Sequence, residues 1–482
     1  KVTTPVFPSL FEWTALSGLN DFSSIYCLFV VFKLVCKMST SDVSIMNSSE
    51  NLLNISKESF STPFVKSSED LQQSDTPTWL TKDYLEQCLR KHYKDNKLKI
   101  LRWDVRPALG KGENYGGVLT RIRAECQTHL GAVVSGHYVV KTSFEADEFA
   151  RKTMEPYDIF NREMSIYENV LPRLNALLGE IGDHDKIFAE TIAVDRERSA
   201  LIFEDLNVRE FVMPNRLAGL NMNLSKMVLR KIAKMHASST VLNERENGCL
   251  ETFDRGFFNR HTDNYMPGFE GLLMACSRRV AQWDSYQYYA NKLMALKAKY
   301  AELGKQVFDP IPGHVNVLAH GDLWTNNIMV KYDKNTGEPL DVTIIDFQYA
   351  AWGSPALDLH YFLNTSLEED MHLNHQDELI QCYYETFSDT LNKLQYRVKI
   401  PSLHQFHLQL EEKAFYAFHS TCVILAVQRN EDTEDADFKA IMQNDQRATR
   451  FKDTCFSNIY VQHIIKTLLP IYERRGLLDL EQ

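Results

Sequence analysis

From Trp79 onward the spacing of apolar and polar positions changes period several times, and each change marks an element. In WLTKDYLEQCLRKHY, Tyr84, Leu85, Cys88 and Leu89 recur on one face behind Thr81, an N-cap residue, which predicts a helix. Ile100 to Thr142 instead shows short β-like runs, with Val118, Thr120, Ile122 and Ala124 alternating and HYVVKT leading out through Lys141. This predicts an antiparallel sheet, and Gly110, Gly112, Gly116 and Gly117 cluster at a turn between its first two strands. Helical spacing returns in YDIFNREMSIYENVLPRLNALL, where Phe160, Met164, Tyr167 and Leu171 form a stripe with Glu163 beside it. The run ALIFEDL predicts a strand ending in two acids, suited to a connector between lobes. Beyond it the pattern is mostly helical: Val228, Ile232, Met235 and Ser239 share a face, and a second series runs from Leu272 to Leu303. His236, alone and without a partner at metal spacing, reads as a core residue. No repeat or heptad array is present.

The first 76 residues lack sustained periodicity. The chain begins with Lys1 and its first methionine is Met38, so residues 1–37 are expected to be a leader and Met38 the start. Ile25 to Cys36 is apolar, but at twelve residues broken by Lys33 it is too short to span a bilayer. Residues 38–76, rich in Ser, Thr, Asn and acids, are expected to be a flexible tail. The remainder divides into 77–205, read as a nucleotide-binding lobe, and 206–482, read as a catalytic lobe.

Composition narrows the partners. Of 482 residues, 44% are hydrophobic, enough for a substantial core, and the net charge is −11. That charge excludes an overall attraction to nucleic acid or anionic lipid. Nine cysteines are scattered with no CxxC pair, which points to reduced thiols in a cytoplasmic protein rather than a disulfide framework or zinc site; a monomer is expected.

The chemistry concentrates in LAHGDLWTNNIMV and IIDFQYA. Val317 and Leu318 lead into the loop His320 to Asn327; Ile328 to Val330 forms a strand, DKNTGEP turns the chain, and Val342 to Ile345 returns to Asp346. A hairpin of this kind brings Asn327, before one strand, close to Asp346, at the far end of its partner. Two carboxylates and an amide are hard oxygen ligands suited to Mg²⁺ and poor for zinc. The H-x-D-x-x-x-x-N plus D-F-x arrangement serves phosphoryl transfer, with Asp322 free to accept a proton. His320 reads as scaffold.

That pattern gives weight to upstream features that are weak alone. A fold of this type orders a glycine-rich lid, a strand lysine and a helix glutamate, and Gly112, Asn114 and Gly116, Lys141, and Glu163 follow that order. Backbone amides of the lid would cover phosphates, and Lys141 would bind phosphate oxygens while pairing with Glu163. At Glu204, Asp205 and Leu206 the hinge backbone would meet adenine. Eleven residues separate Asp346 from Asp358 and no A-P-E segment follows, leaving no room for a peptide-docking activation loop. Asp358 reads as a brace for the catalytic loop.

GKGENYGG, YVVKT, IFNREMSIYENVLP, LIFEDL, KMHASS, LAHGDLWTNNIMVKYD and IIDFQYAAWGSPALDLHYFL together resemble the ecdysteroid kinase-like family, related to choline and aminoglycoside kinases, over essentially all of 77–482. The resemblance implies an α+β, two-lobed protein-kinase-like fold with a small antiparallel sheet and a larger helical lobe. It further implies ATP-dependent phosphorylation of a small-molecule hydroxyl, with ecdysteroids or xenobiotics as acceptors. Carried over by position, Asp322 is the base, Asn327 and Asp346 the Mg²⁺ ligands and Lys141 the phosphate lysine. Gly116-Gly117 departs from the small residue and serine expected there. Two alternatives remain: a cationic, choline-like acceptor, to which the acidic run Asn430 to Asp437 could contribute, and a catalytically silent steroid binder. Trp324, Tyr349, Trp352, His360, Tyr361 and the aromatics of FDRGFFNRH are candidates for the acceptor pocket, weighed against ordinary core positions.

Overall fold

The computed structural model describes residues 77–108, 118–143, 148–432 and 436–479. The expected leader, tail and glycine turn, with Gly112, Asn114 and Gly116, lie outside the described residues.

Helix α1 (Lys82–Tyr93) begins at Thr81, whose hydroxyl accepts the Tyr84 N–H at 3.3 Å, and buries Leu85 and Leu89. It lies against a five-stranded antiparallel sheet of order β1-β2-β3-β5-β4. The strands are β1 (Lys99–Pro107), β2 (Val118–Gln127), β3 (Val133–Thr142), β4 (Thr191–Asp195) and β5 (Ala200–Glu204). Alternation on β2 and β3 turns Ile122, Ala124, Tyr138 and Val140 into one cluster with Leu85, Leu89 and Ile202. Lys141, near the end of β3, is paired with Leu119 on β2 and Leu201 on β5, so both neighbours hold its backbone.

Between β3 and β4 the chain forms α2 (Ile159–Ser165), a π-turn over Ile166–Val170, and α3 (Leu171–Glu180). Met164, Tyr167 and Leu171 are buried in the helical core as their spacing predicts. Glu163, one position off the stripe, is only 1% exposed, so it is not the solvated helix charge that such a position usually carries.

The larger part is helical. The long α4 (Met222–Arg245) buries Val228, Ile232, Met235 and Ser239 and packs against α6 (Gln376–Lys393), with α5 (Ala356–Thr365) buried along its whole length. Each fully buried Leu or Ile here contributes ~1.5–3 kcal/mol from burial alone. The predicted series from Leu272 to Leu303 is three helices, Met266–Val280, Gln287–Leu296 and Tyr300–Phe308.

Two small sheets carry the loop chemistry. Strands β6 (Phe211–Val212), β8 (Ile328–Tyr332) and β9 (Pro339–Ile344) form one, while β7 (Val317–Ala319) and β10 (Ala351–Gly353) form the other. Among the described residues no helix is long and apolar enough to cross a membrane.

Candidate active site

The β8–β9 hairpin sets the geometry. Ile328 pairs with Ile344, and one step further the Ile345 N–H donates to the Asn327 carbonyl at 3.0 Å. Asn327 and Asp346 are thereby adjacent at the open end of the hairpin. Asp346 sits at φ +68°, in the left-handed region that Asp tolerates better than most residues. Its N–H donates to the Tyr167 hydroxyl at 3.3 Å, and its carboxylate accepts from Lys141 Nζ at 2.7 Å. Lys141 also donates to Glu163 at 2.8 Å.

One ammonium therefore lies between two carboxylates. Burial alone would lower the Lys141 pKa, but Asp346 and Glu163 outweigh it and hold it above its usual range. Burial pushes Glu163 upward while Lys141 opposes that shift. The ion pairs keep Lys141 charged. Arg162, next to Glu163, is 5% exposed and donates to the Ala350 carbonyl at 3.3 Å, tying α2 to the segment after Asp346.

Asp322 lies across from this group. Asn327 Nδ2 donates to the Asp322 carbonyl at 2.8 Å and to its Oδ2 at 2.9 Å, and the Tyr361 hydroxyl bonds the same carboxylate. Even so, burial and then the charge of Asp346 push Asp322 up to about 8. That cost in a partly buried pair of acids is what a divalent cation would relieve. Because Nδ2 of Asn327 is spent on Asp322, its Oδ1 is the atom available to such a cation. The residues present fit Mg²⁺.

The loop that carries Asp322 is fixed from below. Asp358, on α5 and 0% exposed, accepts the His320 N–H at 2.6 Å, the Gly321 N–H at 2.8 Å and His236 Nε2 at 2.9 Å. Burial would raise its pKa, but these donors overcome that and hold it below the usual carboxylate range. His236 Nδ1 meets the Tyr383 hydroxyl at 2.7 Å. His236 is thus no inert core residue: buried as expected, it links α4 and α6 to the loop. His320 Nδ1 accepts the Asp322 N–H at 3.2 Å, which leaves Nε2 to donate to the Ile345 carbonyl at 2.9 Å. His320 therefore connects the loop to the strand that delivers Asp346. Gly321 has φ +80°, and a Cβ there would stand 2.1 Å from the Tyr349 carbonyl oxygen.

At the connector, Glu204 accepts the Glu190 N–H at 2.8 Å and pairs with Lys186 at 2.6 Å, while Asp205 meets Arg121 at 3.1 Å. Both acidic side chains are engaged within the protein. Leu206 joins Ala189, Phe211 and Met329 in a small apolar cluster, with Ile345 packed against it. Of the aromatic candidates, Tyr349 bonds Tyr265 at 2.7 Å and His360 bonds the Leu410 carbonyl at 2.9 Å, both buried, whereas Trp324 and Trp352 are half-buried. In the acidic run, Asp437 caps the helix Phe438–Met442 and pairs with Arg447 at 2.7 Å.

Tyr167, His236 and Tyr383 were not singled out for the site by their spacing. Tyr167 stands one turn after Glu163, and His236 falls within KMHASS; those placements were the available signals.

The sequence pattern of the ecdysteroid kinase-like family matches residues 111–396, more than half of the chain. The chain belongs to the ecdysteroid kinase-like family. As a member of the family it has the kinase-like α+β architecture, with a small antiparallel sheet followed by a larger helical part. It is also similar to a 4-hydroxytryptamine kinase of Psilocybe cyanescens, at 30% identity over 59 residues. This match spans 12% of the chain and 16% of that kinase's length.

Proposed function

We propose that this ecdysteroid kinase-like protein is a small-molecule kinase that transfers the γ-phosphoryl group of ATP to a hydroxyl of an ecdysteroid or related hydroxylated lipid or xenobiotic. The observation that carries the reading is the convergence of Lys141, Glu163, Asp322, Asn327 and Asp346 from four separate segments: Lys141 bonds Glu163 and Asp346 at 2.8 and 2.7 Å, Asn327 bonds Asp322 at 2.9 Å, and the Ile345 N–H on the Asn327 carbonyl at 3.0 Å links the two groups. Asp322 accepts the proton of the acceptor hydroxyl as its oxygen forms the new P–O bond and the bond to the ADP leaving group breaks. Lys141 binds phosphate oxygens, and Glu163 holds the ammonium in place. Asn327 Oδ1 and the Asp346 carboxylate would hold Mg²⁺, which when bound supplies charge neutralisation at the phosphates. The apolar cluster of Leu206, Phe211 and Met329 offers a surface for adenine beside the connector. The engagement of Glu204 and Asp205 within the protein favours recognition there by backbone groups. The match to a kinase of a small hydroxylated amine supports the acceptor being small.

The deciding experiment is an ATP-consumption screen of the purified chain against ecdysteroids, choline and plant-derived alcohols. Turnover is expected with hydroxylated lipids, to require Mg²⁺, and to stop on chelation. Turnover with choline alone would move the acceptor to the cationic class. Steroid binding without turnover on any acceptor would overturn the kinase reading in favour of a binder.

A further inference from the structure

A cavity of about 880 Å³ opens beside the π-turn and α3, and neither Lys141 nor Glu163 lines it. Its size falls within the range of small-molecule sites, ~300–1,000 Å³. Three elements wall it: α1, the edge strand β4, and the π-turn running into α3. Its apolar lining includes Tyr84, Tyr167, Leu171, Phe188, Ile192 and Val194. The charges at its rim are largely spent on one another. Arg196 pairs with Glu168 at 2.7 Å, His92 with Glu190 at 3.0 Å, and Arg198 with Asp195 at 3.0 Å. A charged ligand would compete with these pairs, whereas a neutral one would keep them all.

Tyr167 belongs to both this cavity and the candidate active site. It is one of the five residues of the π-turn Ile166–Val170, an irregularity that recurs at functional sites. Its ring lines the cavity and packs against Phe203 and Phe347, at centroid distances of 4.7 and 5.6 Å. Its hydroxyl accepts the N–H of Asp346, the residue at φ +68°. Glu163 is one turn earlier on the same helical segment. Whatever fills the cavity therefore presses on the segment that holds both Lys141 and Asp346 in place.

We propose that this cavity is a regulatory site for a neutral small molecule with an apolar body and hydrogen-bonding groups at its edge, and that Tyr167 transmits its occupancy to Asp346. The Lys141–Glu163 and Tyr167–Asp346 contacts are both made while the cavity is open. A ligand that fits this arrangement stabilises it and tightens ATP binding, and by linkage ATP tightens the ligand by the same factor. The binding part stands independently of the proposed kinase activity; the coupling part rests on Asp346 serving the ATP site.

Nile red, neutral and fluorescent when buried, is a direct probe. Titrated into the full chain it is expected to saturate a single site, with affinity rising about five-fold in the presence of Mg·ATP, a typical coupling. Mg·ATP affinity should rise equally when the probe is saturating. Thr191→Trp and Asn175→Trp, which fill the cavity from β4 and α3, should abolish probe binding while leaving melting temperature and ATP affinity unchanged. Tyr167→Phe should still bind the probe but lose the coupling. Undiminished binding in both filled variants would overturn the site, and equal ATP affinity with and without probe in the unaltered chain would overturn the coupling. Failure to bind ATP under any condition would count against the kinase reading while leaving the filled-variant test intact.

Discussion

Asp322 and Asp358 are two acids of one loop system with opposite electrostatics. Asp358 is wholly buried yet held below the usual carboxylate range, because three donors converge on it from His236, His320 and Gly321. Asp322 is partly exposed yet pushed up to about 8, because burial and the neighbouring Asp346 outweigh its donors from Asn327 and Tyr361. Depth of burial therefore does not decide which of the two acids holds a proton more tightly here. The balance of donors against nearby negative charge does, and it leaves Asp322 as the acid with unspent affinity for a proton or a cation.

The sharpest break of this contrast is Asp322→Asn. It should lower kcat ~10³-fold, in the range of a lost general base, with little change in melting temperature. A loss of stability on that scale instead would make Asp322 a second brace. Asp358→Ala should do the reverse. It strands the His320 and Gly321 N–H groups and His236, each orphaned donor costing ~1–3 kcal/mol, so thermal unfolding should shift to markedly lower temperature. Gly321→Ala lies between: the left-handed backbone and the approach to the Tyr349 carbonyl should cost ~1–3 kcal/mol and displace Asp322, so both stability and kcat fall. An alanine variant equal to the original in both would show that the loop has slack.

The smallest effect comes from three buried bases on which, as at Asp322, desolvation outweighs whatever hydrogen bonding opposes it. Burial depresses His360 to about 4 and His372 and His419 to about 3, from 6.5. Their neutral forms are favoured on folding, so their stabilisation is complete above the unfolded value and is lost as pH falls from 6.5 toward 4 and 3. Each should contribute a loss of ~0.7 kcal/mol between about pH 7 and 6, read as a falling denaturation midpoint. Removal of His419 by substitution with Gln should flatten that dependence by one group's share.

What the sequence made legible was what local spacing encodes. The hairpin could be read because two apolar runs and a turn fix their own register, and that register alone sets Asn327 beside Asp346. Helix α1 was readable from its cap and its stripe. The partnership of His236 with Asp358 was not, because 122 residues separate them and no periodic pattern records a contact between distant elements. Tyr167 was hidden differently. Its helical spacing marked it as a core residue, which it is, but the spacing carried no sign that its hydroxyl would meet the backbone of Asp346 across 179 residues. The burial of Glu163 was masked in the same way, since a glutamate on a helix announces its depth only once its cation is placed opposite.

The β8–β9 hairpin also bears on how relatives of this chain are recognised. Its turn, where the Gly337 N–H closes on the Asp333 carbonyl at 2.9 Å, lies at the end opposite Asn327 and Asp346, and a Cβ at Gly337 would meet nothing within 4 Å. The strands fix the side-by-side placement of the two residues whatever the number of residues joining them. A search pattern for such chains should hold the eight-residue His320–Asn327 block rigid and let the gap to the following Asp-Phe float, because length inserted there changes the spelling of the motif and leaves its meaning untouched.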